Sequence, residues 1–123
     1  MRLLLTHAYF LHEDPKEKAI MRPYPPLGIL YVAAYLEEQG FANQVFDTTF
    51  SSKEAFRAYL LEHRPQRIAF YVNLMTKLNV LESIRFIREE ESLRSTTVIL
   101  GGPDVRYNAD HLLEYGADFL VVG

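Results

Sequence analysis

Short apolar runs alternate with longer helical patterns along the chain, and this alternation restricts the fold more than any other feature. Five near-continuous apolar runs predict strands covered on both faces: residues 3–5, 45–46, 68–72, 98–100 and 119–122. Helical patterns fill the four intervals. With right-handed crossovers, this order predicts a doubly wound α/β domain, Rossmann-like or flavodoxin-like, with helices on both faces of a five-stranded parallel sheet in the order 2-1-3-4-5.

The intervals between these runs carry signals for helix ends. The first helix should run over residues 27–39 and end at Gly40, a terminating glycine. Ser51 and Glu54 have the spacing of a capping box, which opens a second helix that should end near Pro65. Val80, Ile84 and Ile87 have helical spacing and predict one face of a third helix. Leu112, Leu113 and Tyr115 predict a short fourth helix.

Composition excludes several classes of function. The chain has 123 residues, no cysteine and a net charge of −3, so one domain is expected, without disulfides, a thiolate nucleophile or an iron–sulfur cluster of its own. The pI of about 5.8 and the interleaved charges argue against a nucleic-acid partner. No apolar run is long enough for a signal peptide or a membrane span, so we expect a cytoplasmic protein.

Three features are unusual for a small α/β domain. The connection from His7 to Pro26 is far longer than the common loops of about 2–6 residues, which is typical of a functional loop. Residues 27–36 leave almost no polar helix face, so another body should pack on this helix, and the isolated chain should self-associate. The chain also stops directly after its fifth strand. We therefore expect residues 1–123 to be one domain from the N-terminal part of a longer protein.

Ligands of doubly wound domains bind beyond the carboxyl ends of the strands. Neither a G-x-G-x-x-G fingerprint nor a Walker loop is present there, and Asn73 stands where a phospho-receiver needs an aspartate. The four histidines lack the spacing of metal ligands, and no catalytic constellation can be argued from them. Gly101 and Gly102 remove side chains at a strand end, where either a large ligand or another backbone must approach closely.

Several segments together resemble the N-terminal cobalamin-binding domain of cobalamin-dependent radical SAM proteins. The resemblance spans nearly the whole chain and rests on Pro-Pro-Leu-Gly at residues 25–28, Val-Phe-Asp at 45–47, Gly-Gly-Pro at 101–103 and Gly-Ala-Asp at 116–118. It implies a Rossmann-like domain that holds the corrin over the strand ends, with the nucleotide tail entering beside the sheet. It also implies that the partner of this domain is a C-terminal radical SAM barrel of the same protein.

The resemblance and the strand ends together give a set of candidate cofactor-binding residues. Gly101 and Gly102 would make room for the tail, residues 73–76 would line its side, and the loop leading into Gly28 would border the corrin. The full set is Tyr9, Pro25, Leu27, Gly28, Asp47, Thr48, Asn73, Leu74, Met75, Thr76, Gly101, Gly102, Pro103 and Gly123. The Asp-x-His-x-x-Gly string that supplies a cobalt ligand in methionine synthase and the mutases is absent, so no residue of this chain is expected to bind the metal.

Two functional hypotheses remain open, and neither makes this chain catalytic by itself. The first is a cobalamin-binding module of a radical SAM enzyme, one that transfers a methyl group to an unactivated carbon. Its [4Fe-4S] cluster and S-adenosylmethionine would belong to the missing barrel. The alternative is a cofactor-free scaffold that packs against that barrel. A third interpretation, a free-standing α/β enzyme, lacks any recognisable catalytic set.

Overall fold

A five-stranded parallel sheet lies at the centre of the described residues. The structure, a computed structural model, describes residues 2–10, 27–49, 51–73, 76–102 and 105–121. Its strands are β1 (Leu3–Thr6), β2 (Gln44–Phe46), β3 (Arg67–Tyr71), β4 (Thr97–Gly101) and β5 (Phe119–Val121). They lie in the order β2-β1-β3-β4-β5, and every neighbouring pair is parallel. The predicted doubly wound plan and its strand order are both confirmed.

In the described residues, four α-helices connect the strands: α1 (Leu27–Glu38), α2 (Lys53–His63), α3 (Lys77–Glu89) and α4 (Ala109–Tyr115), the last preceded by a 3-10 turn at Arg106–Asn108. The chain steps from β1 to β2 in one direction and then steps the other way to β3, β4 and β5. Right-handed crossovers therefore place α1 on one face of the sheet and the other three helices on the opposite face. None of these helices is long and apolar enough to cross a membrane.

The start of α2 lies one residue later than the capping-box spacing predicts. Ser52 is the N-cap, and its side chain accepts a hydrogen bond of 3.0 Å from the amide of Ala55. Ser51 precedes the cap, and its amide closes a turn by donating to the carbonyl of Thr48. The helix ends at His63, where Arg64 adopts a left-handed conformation with φ of 44°. Pro65 explains this end, since the residue before a proline avoids the α region.

The main core fills the space between the sheet and helices α2, α3 and α4. On this side, the ring of Phe56 meets the ring of Phe70 edge to face at 6.4 Å. The predicted inner face of α3 is confirmed, because Val80, Ile84 and Ile87 are all buried. In α4 only Leu112 is buried. We call this side of the sheet the closed face; its strand residues are Leu4, Ile68, Phe70, Val98 and Leu100.

The opposite side of the sheet is covered unevenly. Of the helices in the described ranges, α1 alone lies over it, and a Cβ placed on Gly28 would be 3.5 Å from the ring of Tyr71. The register puts the following residues on this side: Leu5, Ala69, Tyr71, Ile99, Gly101, Phe119 and Val121. Leu5 is buried beneath α1, whereas Phe119 and Val121 on β5 are 61% and 63% exposed. We call this side the open face.

Helix α1 also presents apolar residues to solvent. Ile29 is buried against the sheet, but Leu30, Tyr31, Val32 and Tyr35 are all exposed. The sequence predicts a helix that is apolar all round, and the structure has this pattern without a described element packed on the outer side. A helix of this kind normally buries more than one face.

Candidate functional site

The candidate site lies at the carboxyl edge of the sheet. Strands β1 and β3 are neighbours, and the chain leaves β1 to one side and β3 to the other. Such a point of reversal opens a crevice between the two connections, which is where doubly wound domains bind small ligands. The chain segments that follow β1, β2, β3 and β4 all reach this edge.

A buried histidine contacts a carboxylate at this edge. His7 follows β1 and is 6% exposed, and its Nε2 lies 2.9 Å from Oδ1 of Asp47, which follows β2. Burial lowers the pKa of His7, and the hydrogen bond and charge of Asp47 offset this only in part. The imidazole is therefore neutral at neutral pH, and we assign its proton to Nε2 because the ionised Asp47 carboxylate can only accept. The amide of Thr48, 3.3 Å from the same nitrogen, is then a close contact, because a protonated nitrogen cannot accept.

The carboxylate of Asp47 is held in one orientation by several donors. Its Oδ1 also accepts hydrogen bonds from the Thr49 amide at 3.0 Å and the Thr49 hydroxyl at 2.5 Å. Burial by itself would raise the pKa of Asp47, but the hydrogen bonds from Thr49 and His7 outweigh it and hold the pKa below its ordinary value. Asp47 is therefore a fixed, ionised group, and its side chain is 48% exposed.

Further hydrogen bonds join the segments after β1 and β2. The hydroxyl of Thr48 donates to the carbonyl of Tyr9 at 2.6 Å, and the hydroxyl of Thr6 donates to the carbonyl of Phe46 at 2.8 Å. Between these bonds Ala8 adopts a φ of 55°, in the left-handed region that residues other than glycine seldom occupy. Such a conformation costs about 1–2 kcal/mol and persists only where the surroundings determine it. The backbone at this corner of the carboxyl edge is therefore held in one conformation without a ligand.

Asn73 and Thr76 serve the turn between β3 and α3. The backbone amide of Asn73 donates to the Thr76 hydroxyl at 3.1 Å, and the backbone amide of Thr76 donates to the side-chain Oδ1 of Asn73 at 3.0 Å. The Thr76 hydroxyl in turn donates to the carbonyl of Tyr71 at 3.3 Å, and Thr76 is buried. These two candidate residues thus shape the edge of the crevice through their mutual bonds.

The two glycines after β4 have different reasons to be glycine. Gly102 has a φ of 116°, and a Cβ on it would lie 2.9 Å from the amide nitrogen of Val72 and closer still to the Val72 carbonyl oxygen. Of the two explanations for this glycine pair, the approach of another backbone accounts for Gly102. Gly101 is different, since a Cβ there would meet only the Cβ of Val121, at 3.8 Å. Gly101 therefore leaves space on the open face.

The structure brings some of the candidate residues together and leaves others apart. Tyr9, Asp47 and Thr48 form one corner, and Gly28 and Gly101 both border the open face. Several candidates lie outside the described residues: Pro25, Leu74, Met75, Pro103, Gly123 and the side chain of Leu27.

The pairing of His7 with Asp47 is the feature that sequence reasoning missed. The sequence predicts Asp47 as a candidate residue, but it predicts no partner for Asp47 or for His7. The strand order contains the necessary signal, because β2 lies beside β1 and each residue directly follows its strand.

The fold and this edge define a class of protein: a small doubly wound domain whose crevice at the strand ends takes a small ligand. A family model narrows the class, since the model of the B12 binding domain matches residues 20–123. The chain therefore belongs to the B12-binding domain family. A search of curated proteins found no significant match.

Proposed function

We propose that this chain is the cobalamin-binding module of a radical SAM enzyme that transfers a methyl group to an unactivated carbon. Membership of the B12-binding family supports the cofactor. The radical SAM parent rests on the resemblance carried by Pro-Pro-Leu-Gly, Gly-Gly-Pro and Gly-Ala-Asp in this order. When bound, cobalamin supplies a cobalt centre that can carry an alkyl group. The chain itself binds and orients the cofactor.

The open face beside α1 is the observation that carries this proposal. Its floor at β3 and β4 consists of Tyr71, Ile99 and Gly101, which are only partly buried. Neither Gly28 nor Gly101 places a side chain in this space, and a Cβ at Gly101 would stay at ordinary contact distance from Val121. An apolar, unobstructed space at the carboxyl edge fits the flat aromatic base of a nucleotide tail, because such rings gain most from contact with apolar surface.

The chain holds the cofactor without supplying a ligand to cobalt. The Asp-x-His-x-x-Gly string is absent. His7 is buried at the crevice, and its Nε2 is engaged by Asp47. The buried imidazole fixes Asp47, and the absent string is the reason to propose that the metal takes its ligands from elsewhere. The absorption spectrum of bound cobalamin reports whether a nitrogen ligates the cobalt. Replacing His7 should therefore leave this spectrum unchanged.

The exposed apolar surface supports a partner body within the same protein. Tyr31 and Tyr35 project from the outer side of α1, and β5 leaves Phe119 and Val121 exposed on the open face. We propose that the C-terminal radical SAM barrel covers α1. The cluster and the S-adenosylmethionine belong to that barrel, since this chain has no cysteine.

Cobalamin binding by the purified chain tests the proposal. Leucine in place of Gly101 fills the space over β4 and should weaken binding about five-fold or more, as a misfit of about 1–3 kcal/mol requires. The control is Ala42→Leu, an exposed position at the amino edge before β2. Equilibrium dialysis gives the affinity, and circular dichroism checks that both variants fold. Equal affinity in Gly101→Leu and Ala42→Leu would remove the open face as the binding site.

The environment of Gly102 keeps the cofactor-free scaffold as a second candidate. Because the Val72 backbone requires a glycine at position 102 with or without a ligand, that glycine no longer favours cofactor binding over a structural role. If the wild-type chain retains no cobalamin in dialysis, the scaffold becomes the better description. Gly102→Leu is unsuitable for this test, since it would disturb the backbone contact itself.

A further inference from the structure

We propose that Asp47 selects ligands that carry uncharged carboxamide arms, by accepting a hydrogen bond from such an arm at its Oδ2 oxygen and repelling a carboxylate at the same place. The inference rests on the proposed function and deepens it. It assigns one side chain to one chemical feature of the cofactor, the primary amides at the rim of the corrin.

The two oxygens of Asp47 have different surroundings. Oδ1 takes the contacts with His7 and with both donors of Thr49. Within the part of the chain that the structure describes, no hydrogen bond is recorded at Oδ2. The donors around Oδ1 are buried, yet the Asp47 side chain is 48% exposed. The accessible part of this carboxylate is therefore on the Oδ2 side.

The charge of Asp47 is not neutralised by its recorded partners. The only basic side chain in contact with it among the described residues is His7, and the buried imidazole is neutral. An ionised carboxylate accepts hydrogen bonds and cannot donate one. A primary amide can satisfy it with an N–H, whereas a second carboxylate brings like charge and no donor. This difference makes Asp47 selective.

The position of Asp47 in the sheet favours contact with the carboxamide arms of the corrin over contact with the nucleotide tail. Asp47 follows β2 and Gly101 ends β4, and the order β2-β1-β3-β4 separates them by three strand spacings, about 14 Å. If the tail enters beside Gly101, Asp47 lies on the other side of the ring. The groups that reach outward from that side are carboxamides.

His7 acts through Asp47 and is a positioning residue. It follows β1 next to Ala8, whose left-handed conformation and burial fix the direction of the chain. From there its N–H fixes Oδ1 and, together with Thr49, holds the carboxylate in one rotamer. A side chain that keeps an N–H donor at position 7 should preserve selectivity, and an apolar side chain should lose it.

The test compares cyanocobalamin with its monocarboxylate derivatives, in each of which one carboxamide is hydrolysed to a carboxylate. Wild-type chain should bind intact cyanocobalamin, and bind at least one derivative about ten-fold more weakly. Asp47→Asn should reduce that ratio to about two-fold or less, because asparagine removes the repulsion and can donate to the carboxylate. Glu38→Gln removes one exposed charge at the far end of α1 and should leave the ratio unchanged.

The outcomes separate this inference from the proposal on which it rests. If the wild type binds no intact cyanocobalamin, both are wrong. If it binds the cofactor but the ratio is the same in wild type and Asp47→Asn, only the assignment of Asp47 is wrong. His7→Gln should keep the ratio and His7→Leu should lose it; equal ratios in these two folded variants would overturn the positioning role.

Discussion

The two faces of the sheet are built from the same strands and have opposite properties. On the closed face Ile68 and Leu100 are fully buried under three helices. On the open face their neighbours Ala69, Ile99 and Gly101 are only partly covered. The difference shows that one side of this small domain supplies most of the packing, while the other side remains accessible to a ligand or a partner.

The largest expected effect is the loss of a ring from the closed face. Phe70→Ala removes a fully packed ring beside Phe56 and should lower the free energy of unfolding by about 3–5 kcal/mol. Phe119→Ala, the matched change on the open face, should cost less than about 1 kcal/mol. Urea unfolding monitored by circular dichroism measures both. Similar losses in the two variants would contradict the distinction between the faces.

A second prediction concerns the arginine that joins α3 to the end of α4. Arg88 donates to the carbonyl of Gly116 at 2.7 Å, to the carbonyl of Thr96 at 2.8 Å, and to the Asp118 carboxylate at 2.7 Å. Arg88→Ala leaves several acceptors without a donor and should cost about 2 kcal/mol.

The matched control for Arg88 is Arg85→Ala. Arg85 forms an exposed pair with Glu89, one turn along the same helix, and such pairs contribute at most about 0.5 kcal/mol. Urea unfolding again gives both values. If Arg85→Ala costs as much as Arg88→Ala, the contacts that Arg88 makes with the α4 end are not what stabilises this region.

A third prediction concerns the pH dependence of stability, which should arise at the carboxyl edge of the sheet, between the two faces. The pKa of buried His7 is below its ordinary value of 6.5, so the unfolded chain binds more protons than the folded chain as the pH falls below that value. The contribution of His7 to the free energy of unfolding is therefore fully present above about pH 6.5. It is lost on acidification, by at most about 1.4 kcal/mol per pH unit. Asp47, whose pKa is also lowered, adds a further loss below its ordinary value of 3.8.

Unfolding curves from pH 8 to pH 5 measure the contribution of His7. His7→Gln should flatten the curve in this range, and the control is His63→Gln, at an exposed histidine whose ring lies tilted against that of Tyr59. A curve that keeps its slope in His7→Gln would assign the pH dependence to other groups.

The smallest expected effect concerns the outer side of α1. Its exposed Tyr31 and Tyr35 should make the isolated chain self-associate weakly at high concentration. Tyr31→Lys with Tyr35→Lys should weaken this association about ten-fold, which corresponds to about 1.4 kcal/mol. Sedimentation velocity over a range of concentrations measures it. A wild-type chain that stays monomeric throughout would contradict the prediction.

The order of elements and the strand order were predictable from the sequence alone. Near-continuous apolar runs separated by helical patterns have few arrangements that satisfy right-handed crossovers, and the order 2-1-3-4-5 is one of the two common ones. The predicted cover on both faces is wrong for β5, where Phe119 and Val121 are exposed. The inner face of α3 followed from the spacing of Val80, Ile84 and Ile87. These features depend on local periodicity, which a sequence displays directly.

Other features were decided only by the tertiary structure, because they depend on atoms that are distant along the chain. His7 and Asp47 are 40 positions apart and meet because β2 lies beside β1. The need for glycine at position 102 arises from the backbone of Val72, which directly follows the neighbouring strand β3. The capping box spacing of Ser51 also gave the start of α2 only to within one residue, since the side chain that accepts from Ala55 is that of Ser52. A pattern of residue types identifies where such groups lie along the strands, but only the packed sheet determines which of them touch.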